Sequence, residues 1–240
     1  MRLNYGKGLI MKRIIQMNLL ISLMFISTGC KKNQLKKPVD VSVQMDINRE
    51  FSTEGHLIFT EGYVRIAEFT IEGKRQEGAD VELSKEFEQG LIIDFSPTLY
   101  VDALHMDIPQ GNYTSLDINF DTHEGNDEPT ISVTGIFKNS SNQDIPLIFE
   151  FMSSEYFSVN GESSGSSDII VLDKSNPAIS FIAFDPIYWF DIVSMNMLNN
   201  ANLYNVDGVQ TLLINEEKNA NIYDLIADRI DETTSATFSD

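Results

Sequence analysis

Val41-Ser42-Val43-Gln44-Met45-Asp46-Ile47 decides the fold class. Its four odd-numbered residues are apolar and the three between them are polar. Successive side chains of an extended strand point to opposite faces, so this alternation marks a strand buried on one side. The same period returns at residues 113–121, where Leu116, Ile118 and Phe120 alternate with Ser115, Asp117 and Asn119. Working outward, β-rich runs predict further strands at 56–60, 63–72, 79–83, 91–95, 101–108, 130–137, 145–152, 169–172 and 179–184. Glu61-Gly62, Gly73, Gly125-Asn126-Asp127 and the clusters 139–142 and 161–167 read as the breaks between them. Many short strands at this spacing predict a mainly β protein, an antiparallel sandwich.

The period changes after Phe184. Asp185-Pro186 is a helix N-cap followed by proline at the first helical position. Trp189, Ile192, Val193 and Met197 then fall on one helical face. Residues 209–214 read as one more strand after the Asp207-Gly208 turn. Asn219 reads as the cap of a last helix with the apolar stripe Ile222, Leu225, Ile226 and Ile230, its outer side carrying Asp224, Asp228 and Asp231. No repeat or linker interrupts this layout. The expectation is one sandwich domain over residues 41–240, with two short helices packed near the C-terminus.

The formal net charge is −19, unevenly placed: eight of the 17 basic residues lie at or before Lys37, and all 36 acidic residues lie after it. So acidic a body repels phosphate backbones and anionic lipid heads, which excludes nucleic acid as a partner. The basic start carries the short n-region Met11-Lys12-Arg13 and an apolar h-region at residues 14–26. A bilayer core takes about 20 apolar residues, so this stretch is short for a span and fits a signal peptide over residues 1–29, with translation expected to start at Met11. Cys30 is the one cysteine, so no disulfide can form within the chain. Residues 30–40 are polar, lysine-bearing and without periodicity, and read as a tether.

Ser27-Thr28-Gly29-Cys30 resembles the lipobox of bacterial lipoproteins, with Ser27 standing where leucine is usual. The resemblance implies a diacylglycerol on the Cys30 thiol, cleavage before it, and an acylated new amine. Several acyl chains anchor a protein stably where one is marginal. Ile108-Pro109-Gln110-Gly111 puts proline and glycine where a type I turn prefers them, and Tyr113 opens a strand. This Pro-x-Gly-x-Tyr entry is similar to one found in transthyretin-like sandwiches. The segment from Asp107 to Tyr113, Asp185-Pro186 before Tyr188-Trp189-Phe190, and Asn219 through Ile230 together resemble uncharacterised single-domain β-sandwich lipoproteins of the Bacteroidota. That resemblance implies an outer-membrane lipid anchor and brings no activity with it. Surface-exported members often carry acidic residues after the lipidated cysteine. Lys31 and Lys32 stand there instead, which points to the periplasmic side.

No catalytic residues, cofactor or metal site are expected. Gly-x-Ser-x-Gly and His-Glu-x-x-His are both missing, and His56, His105 and His123 do not fall at metal spacing. The acidic run Asp121 to Glu128 lacks the spacing of a calcium loop. Tyr188-Trp189-Phe190 is the candidate contact for a ligand or partner, since three consecutive aromatics on a helix cannot all face one core. The leading expectation is a non-enzymatic binding module for a protein or glycan. The alternatives are a fimbria-like assembly subunit and a glycan hydrolase using two carboxylates.

Overall fold

A computed structural model of the chain describes residues 35–123, 128–165 and 167–239. Cys30, the signal peptide and the first part of the tether lie outside these residues, as do positions 124–127 of the acidic run. In chain order the strands are β1 (Pro38–Ile47), β2 (Leu57–Arg75), β3 (Val81–Asp94), β4 (Met106–Pro109), β5 (Gly111–Thr122), β6 (Ile131–Lys138) and β7 (Asp144–Phe151). There follow β8 (Tyr156–Val159), β9 (Gly161–Ser163), β10 (Ile170–Leu172), β11 (Ala178–Phe184), β12 (Tyr204–Val206), β13 (Val209–Ile214) and β14 (Ser235–Ser239). The helices are α1 (Pro186–Phe190), α2 (Met195–Asn200) and α3 (Ala220–Ala227), and a 3-10 turn covers Asp102–Leu104.

The strands form the two packed sheets of a sandwich. One has the order β4-β1-β11-β14-β9. The other runs β10-β5-β2-β6-β7-β13-β12, with β3 on β2 and β8 on β5. The alternation of β1 buries Val39, Val41, Val43, Met45 and Ile47. Gln44 and Asp46, expected to face water, are buried as well. Neighbouring loops cover them: the Gln44 amide donates to the Ser96 carbonyl just after β3, and Asp46 takes Arg49 of the β1–β2 loop at 2.7 Å. Removing apolar area from water contributes about 25 cal/mol per Å², so the two inner faces carry most of the stability.

Pairing is mostly antiparallel, but β1 with β11, β7 with β13 and β9 with β14 are parallel. Strand alternation reports which face is buried and not the direction of the neighbour. Glu61-Gly62, expected to break the chain, lies inside the 19-residue β2, at a register shift against β6. The position is a bulge, and a Cβ on Gly62 would run into the Ser132 carbonyl oxygen. The expected strands at 79–83 and 91–95 are likewise joined in β3. The predicted tether is shorter than expected, because β1 begins at Pro38. Pro109-Gln110-Gly111 carries the chain from one sheet to the other, with the Gln110 N–H on the Lys37 carbonyl.

The helical stripe after Asp185 is broken. Asp185 accepts the Tyr188 N–H as expected of a cap, but α1 stops at Phe190. Ser194 then caps α2 through the Met197 N–H. A serine hydroxyl competes for backbone N–H groups and favours a helix start over a helix interior. Trp189 and Val193 still reach the core, whereas Ile192 is left exposed. Asn219 does not cap α3 with its side chain. It sits at φ 54° and its amide donates to the Asn202 and Leu213 carbonyls. The stripe it introduces is buried at Ile222, Ile226 and Ile230.

Tyr113 and Tyr223 link this core to pH. Burial pushes the Tyr113 phenol up to about 12, against an opposing pull from Arg75. Burial, with the Glu216 carboxylate second, pushes Tyr223 to about 12 as well. The unfolded chain releases these protons near pH 10 while the folded chain keeps them. Stability is therefore fully present below about pH 10 and falls as pH rises towards about 12. Urea unfolding between about pH 9 and about pH 11.5 checks this. The Tyr113→Phe, Tyr223→Phe double variant should lose less stability over that range than the natural chain.

Candidate functional site

The chain ends of β1 and β11 meet a loop and a helix at one end of the sandwich. The Asn48 N–H donates to the Phe184 carbonyl at 2.8 Å, which continues the β1–β11 pairing by one residue. The Asn48 side-chain amide then donates to Asp185 Oδ1 at 3.0 Å. Asp185 thus caps α1 with one contact and holds the β1–β2 loop with another. That loop closes on itself. Ser52 Oγ accepts the N–H groups of His56 and Leu57, and Gly55 N donates to the Ser52 carbonyl. Gly55 takes φ 71°, which a glycine adopts without strain.

Between this loop and the segment from α1 to the start of α2 lies a cleft of about 580 Å³. This volume falls in the range of small-molecule and side-chain pockets. Leu57, Phe190 and Val193 give it an apolar floor, and Ser52, Thr53, Glu54, Asp191, Ser194 and Asn196 a polar rim. Neither lysine nor arginine lines it, so its rim is anionic. Each wall carries one exposed apolar side chain just outside: Phe51 is 61% exposed and Ile192 49%.

His56 sits at the base of the loop wall, its ring edge-on to Phe137 at 6.3 Å. Its Nδ1 is buried and has no hydrogen bond among the described residues. Glu54 Oε2 lies 3.5 Å away, close enough for attraction but outside hydrogen-bond geometry. A buried ring nitrogen without a bonded partner is a site that a ligand or water can satisfy.

The aromatic triplet is only partly brought here. Trp189 and Phe190 are buried, contrary to the expectation of a ligand-contacting cluster. The Phe190 ring packs on Phe59 and Phe149, and Trp189 on Phe149 and Phe184. Phe190 reaches the cleft only as part of its floor. Tyr188 is half-buried on another side, under the Arg229 guanidinium at 4.1 Å, with its hydroxyl on Glu232 at 3.2 Å. Helix α1 is short and wedged between the sheets, so consecutive aromatics fill core on more than one side. The lipidation residue Cys30 lies outside the described residues. Sequence reading passed over the loop at 52–56. Its one signal was Phe51, a lone aromatic in a polar, turn-forming stretch.

Among the described residues no group of three or more His, Cys, Asp or Glu side chains is placed to hold a metal ion. No protein-family model, curated protein or solved structure matches the chain.

The loop wall depends on Asn48. Asn48→Ala removes its side-chain bonds to Asp185 and to the Glu50 N–H. The expected cost is about 1 kcal/mol of stability. Amide exchange should speed up across residues 50–56 more than elsewhere. Unchanged exchange there would show that the loop stands without this bond.

Proposed function

We propose that this chain is an outer-membrane, lipid-anchored lipoprotein facing the periplasm, whose sandwich is a non-enzymatic binding module for a protein or glycan. The anchor rests on the h-region at 14–26 and Ser27-Thr28-Gly29-Cys30. The observation that carries the binding reading is the position of the cleft. Strand β1 starts at Pro38, eight residues after Cys30, and its other end, at Ile47, leads into the cleft loop. Ten strand residues at about 3.3 Å each put the cleft roughly 30 Å from the point where the tether enters. An apolar floor, an anionic rim and flanking exposed side chains suit a ligand with an apolar body and cationic or hydroxyl groups. Among the described residues no helix is long and apolar enough to cross a membrane.

A second reading has one observation in its favour. Glu54 and Asp191 both line the cleft, one from each wall, as the two carboxylates of a glycan hydrolase would. One experiment separates the two readings. The purified full-length protein is screened against glycan and envelope-protein arrays, with Phe51→Ala, Ile192→Ala, Glu54→Gln and Asp191→Asn alongside. A binding module holds its ligand unchanged, and Phe51→Ala and Ile192→Ala weaken capture about tenfold each. A hydrolase shortens the glycan, and either carboxamide variant stops this. Capture that survives all four substitutions would move the site elsewhere.

A further inference from the structure

The body beyond Lys37 has nine basic side chains. Five of them are arginines or lysines with carboxylate or aromatic partners. Arg49 pairs with Asp46 at 2.7 Å, Arg65 with Glu128, Lys138 with Asp144 at 2.8 Å and Arg229 with Glu232 at 3.6 Å, while Lys218 lies over the Tyr204 ring. Two more donate to backbone: Lys85 to the Ala103 and His105 carbonyls, and Arg75 to those of Leu35 and Ala79. That leaves Lys74 and Lys174. They are exposed, as are Lys36 and Lys37 at the entry to β1, and none of the four makes an ion pair or side-chain hydrogen bond among the described residues. Asp173, the neighbour of Lys174, is bonded to the Ser175 hydroxyl at 2.6 Å and N–H at 2.8 Å, and is attracted by the Lys174 charge without forming an ion pair with it.

These four lysines are far apart in sequence and share one end of the sandwich. Hydrogen bonds of backbone and side chain tie that end together. The Gln110 N–H donates to the Lys37 carbonyl at 2.8 Å, and the Lys174 N–H to the Gln110 side chain at 3.4 Å. Arg75, next to Lys74, donates to the Leu35 carbonyl at 2.6 Å, and Gln76 N to the Asn112 carbonyl at 2.9 Å. This is the end opposite the cleft, and the end from which the chain runs back to Cys30. Glu77, Asp80 and Asp173 stand there too, and the four carboxylates of Glu72, Asp80, Glu82 and Asp117 line a hollow with Lys74. Lys36, Lys37 and Lys174 are therefore the cations freest to meet an external anion.

We propose that the surface carrying Lys36, Lys37 and Lys174 is a docking face for the anionic headgroups of the membrane that holds Cys30, so that the domain stands on this end with the cleft turned away. The occupant follows from two facts on the same face: three exposed lysines, Lys36, Lys37 and Lys174, without an ion pair among the described residues, and a tether of only eight residues, which spans at most about 28 Å when extended. A surface held this close meets lipid headgroups at high effective concentration. Anionic lipid attracts each nearby lysine, and salt screens the attraction over a Debye length of about 8 Å at physiological ionic strength. The inference rests on the lipid anchor proposed above, and its test must separate the two.

The full-length protein is purified from membranes and placed in vesicles of phosphatidylcholine, with or without phosphatidylglycerol, carrying a headgroup nitroxide. A fluorophore is attached to a cysteine introduced by Gln76→Cys at the basic end or by Thr53→Cys at the cleft. Intact mass reports acylation of Cys30 in the same sample. The expected result is quenching at position 76 that rises about threefold with phosphatidylglycerol, and none of that rise at position 53. Lys36→Glu, Lys37→Glu and Lys174→Glu together should return position 76 to its neutral-lipid level with acylation unchanged. An acylated protein quenched equally at both positions, or without regard to phosphatidylglycerol, would overturn the docking face and keep the anchor. A protein without acyl chains that still shows the lipid-dependent quenching would keep the face and overturn the anchor. Neither acylation nor quenching would overturn both.

Discussion

Phe184 ends β11 and touches the rings that join the rest of the molecule. Its centroid lies 5.0 Å from Phe95, 5.6 Å from Phe157 and 5.9 Å from Phe120, which belong to the facing sheet or its ends, and 6.4 Å from Trp189 of α1. Such pairs contribute about 0.5–1.5 kcal/mol each beyond the area they bury. The backbone of the same residue accepts Asn48, and the residue after it caps α1 while holding the Asn48 side chain. The packing of the two sheets and the walls of the cleft are therefore set by one short stretch, from Phe184 to Asp185.

The parallel pairing of β1 with β11 gives the domain its two unlike ends. Both strands start at the end where the lysines collect and finish at the end where the cleft opens. The acidic body needs its arginines and most of its lysines for internal pairs, and the unpaired ones remain near the tether. Chain direction and cavity thus follow a single axis. Under the proposed reading such an axis holds the cleft away from the surface that carries the domain.

Much of the layout was legible in the residues. The period of two at β1 and β5, the switch at Asp185-Pro186 and the buried stripe of α3 all follow from local chemistry. Other features depend on what lies across the fold. Gly62 looks like a chain break until the Ser132 carbonyl beside it shows why the strand needs a glycine there. Asn219 looks like a cap until its amide is seen to reach two carbonyls of other segments. Trp189 and Phe190 looked like contacts for a partner because three consecutive aromatics on a helix cannot all face one core, yet α1 is packed on more than one side. The cleft was illegible because Phe51 and Ile192 lie far apart in the chain, and the basic end because its lysines run from position 36 to 174.

The account stands on Cys30 as the anchor. Cells producing the natural chain and the Cys30→Ala variant are broken, and their membranes are washed with alkaline carbonate, which strips proteins held by charge alone. The prediction is that the natural chain stays in the membrane pellet and leaves it only with detergent, while Cys30→Ala appears in the soluble fraction. Natural and variant chains partitioning alike, in either fraction, would contradict it.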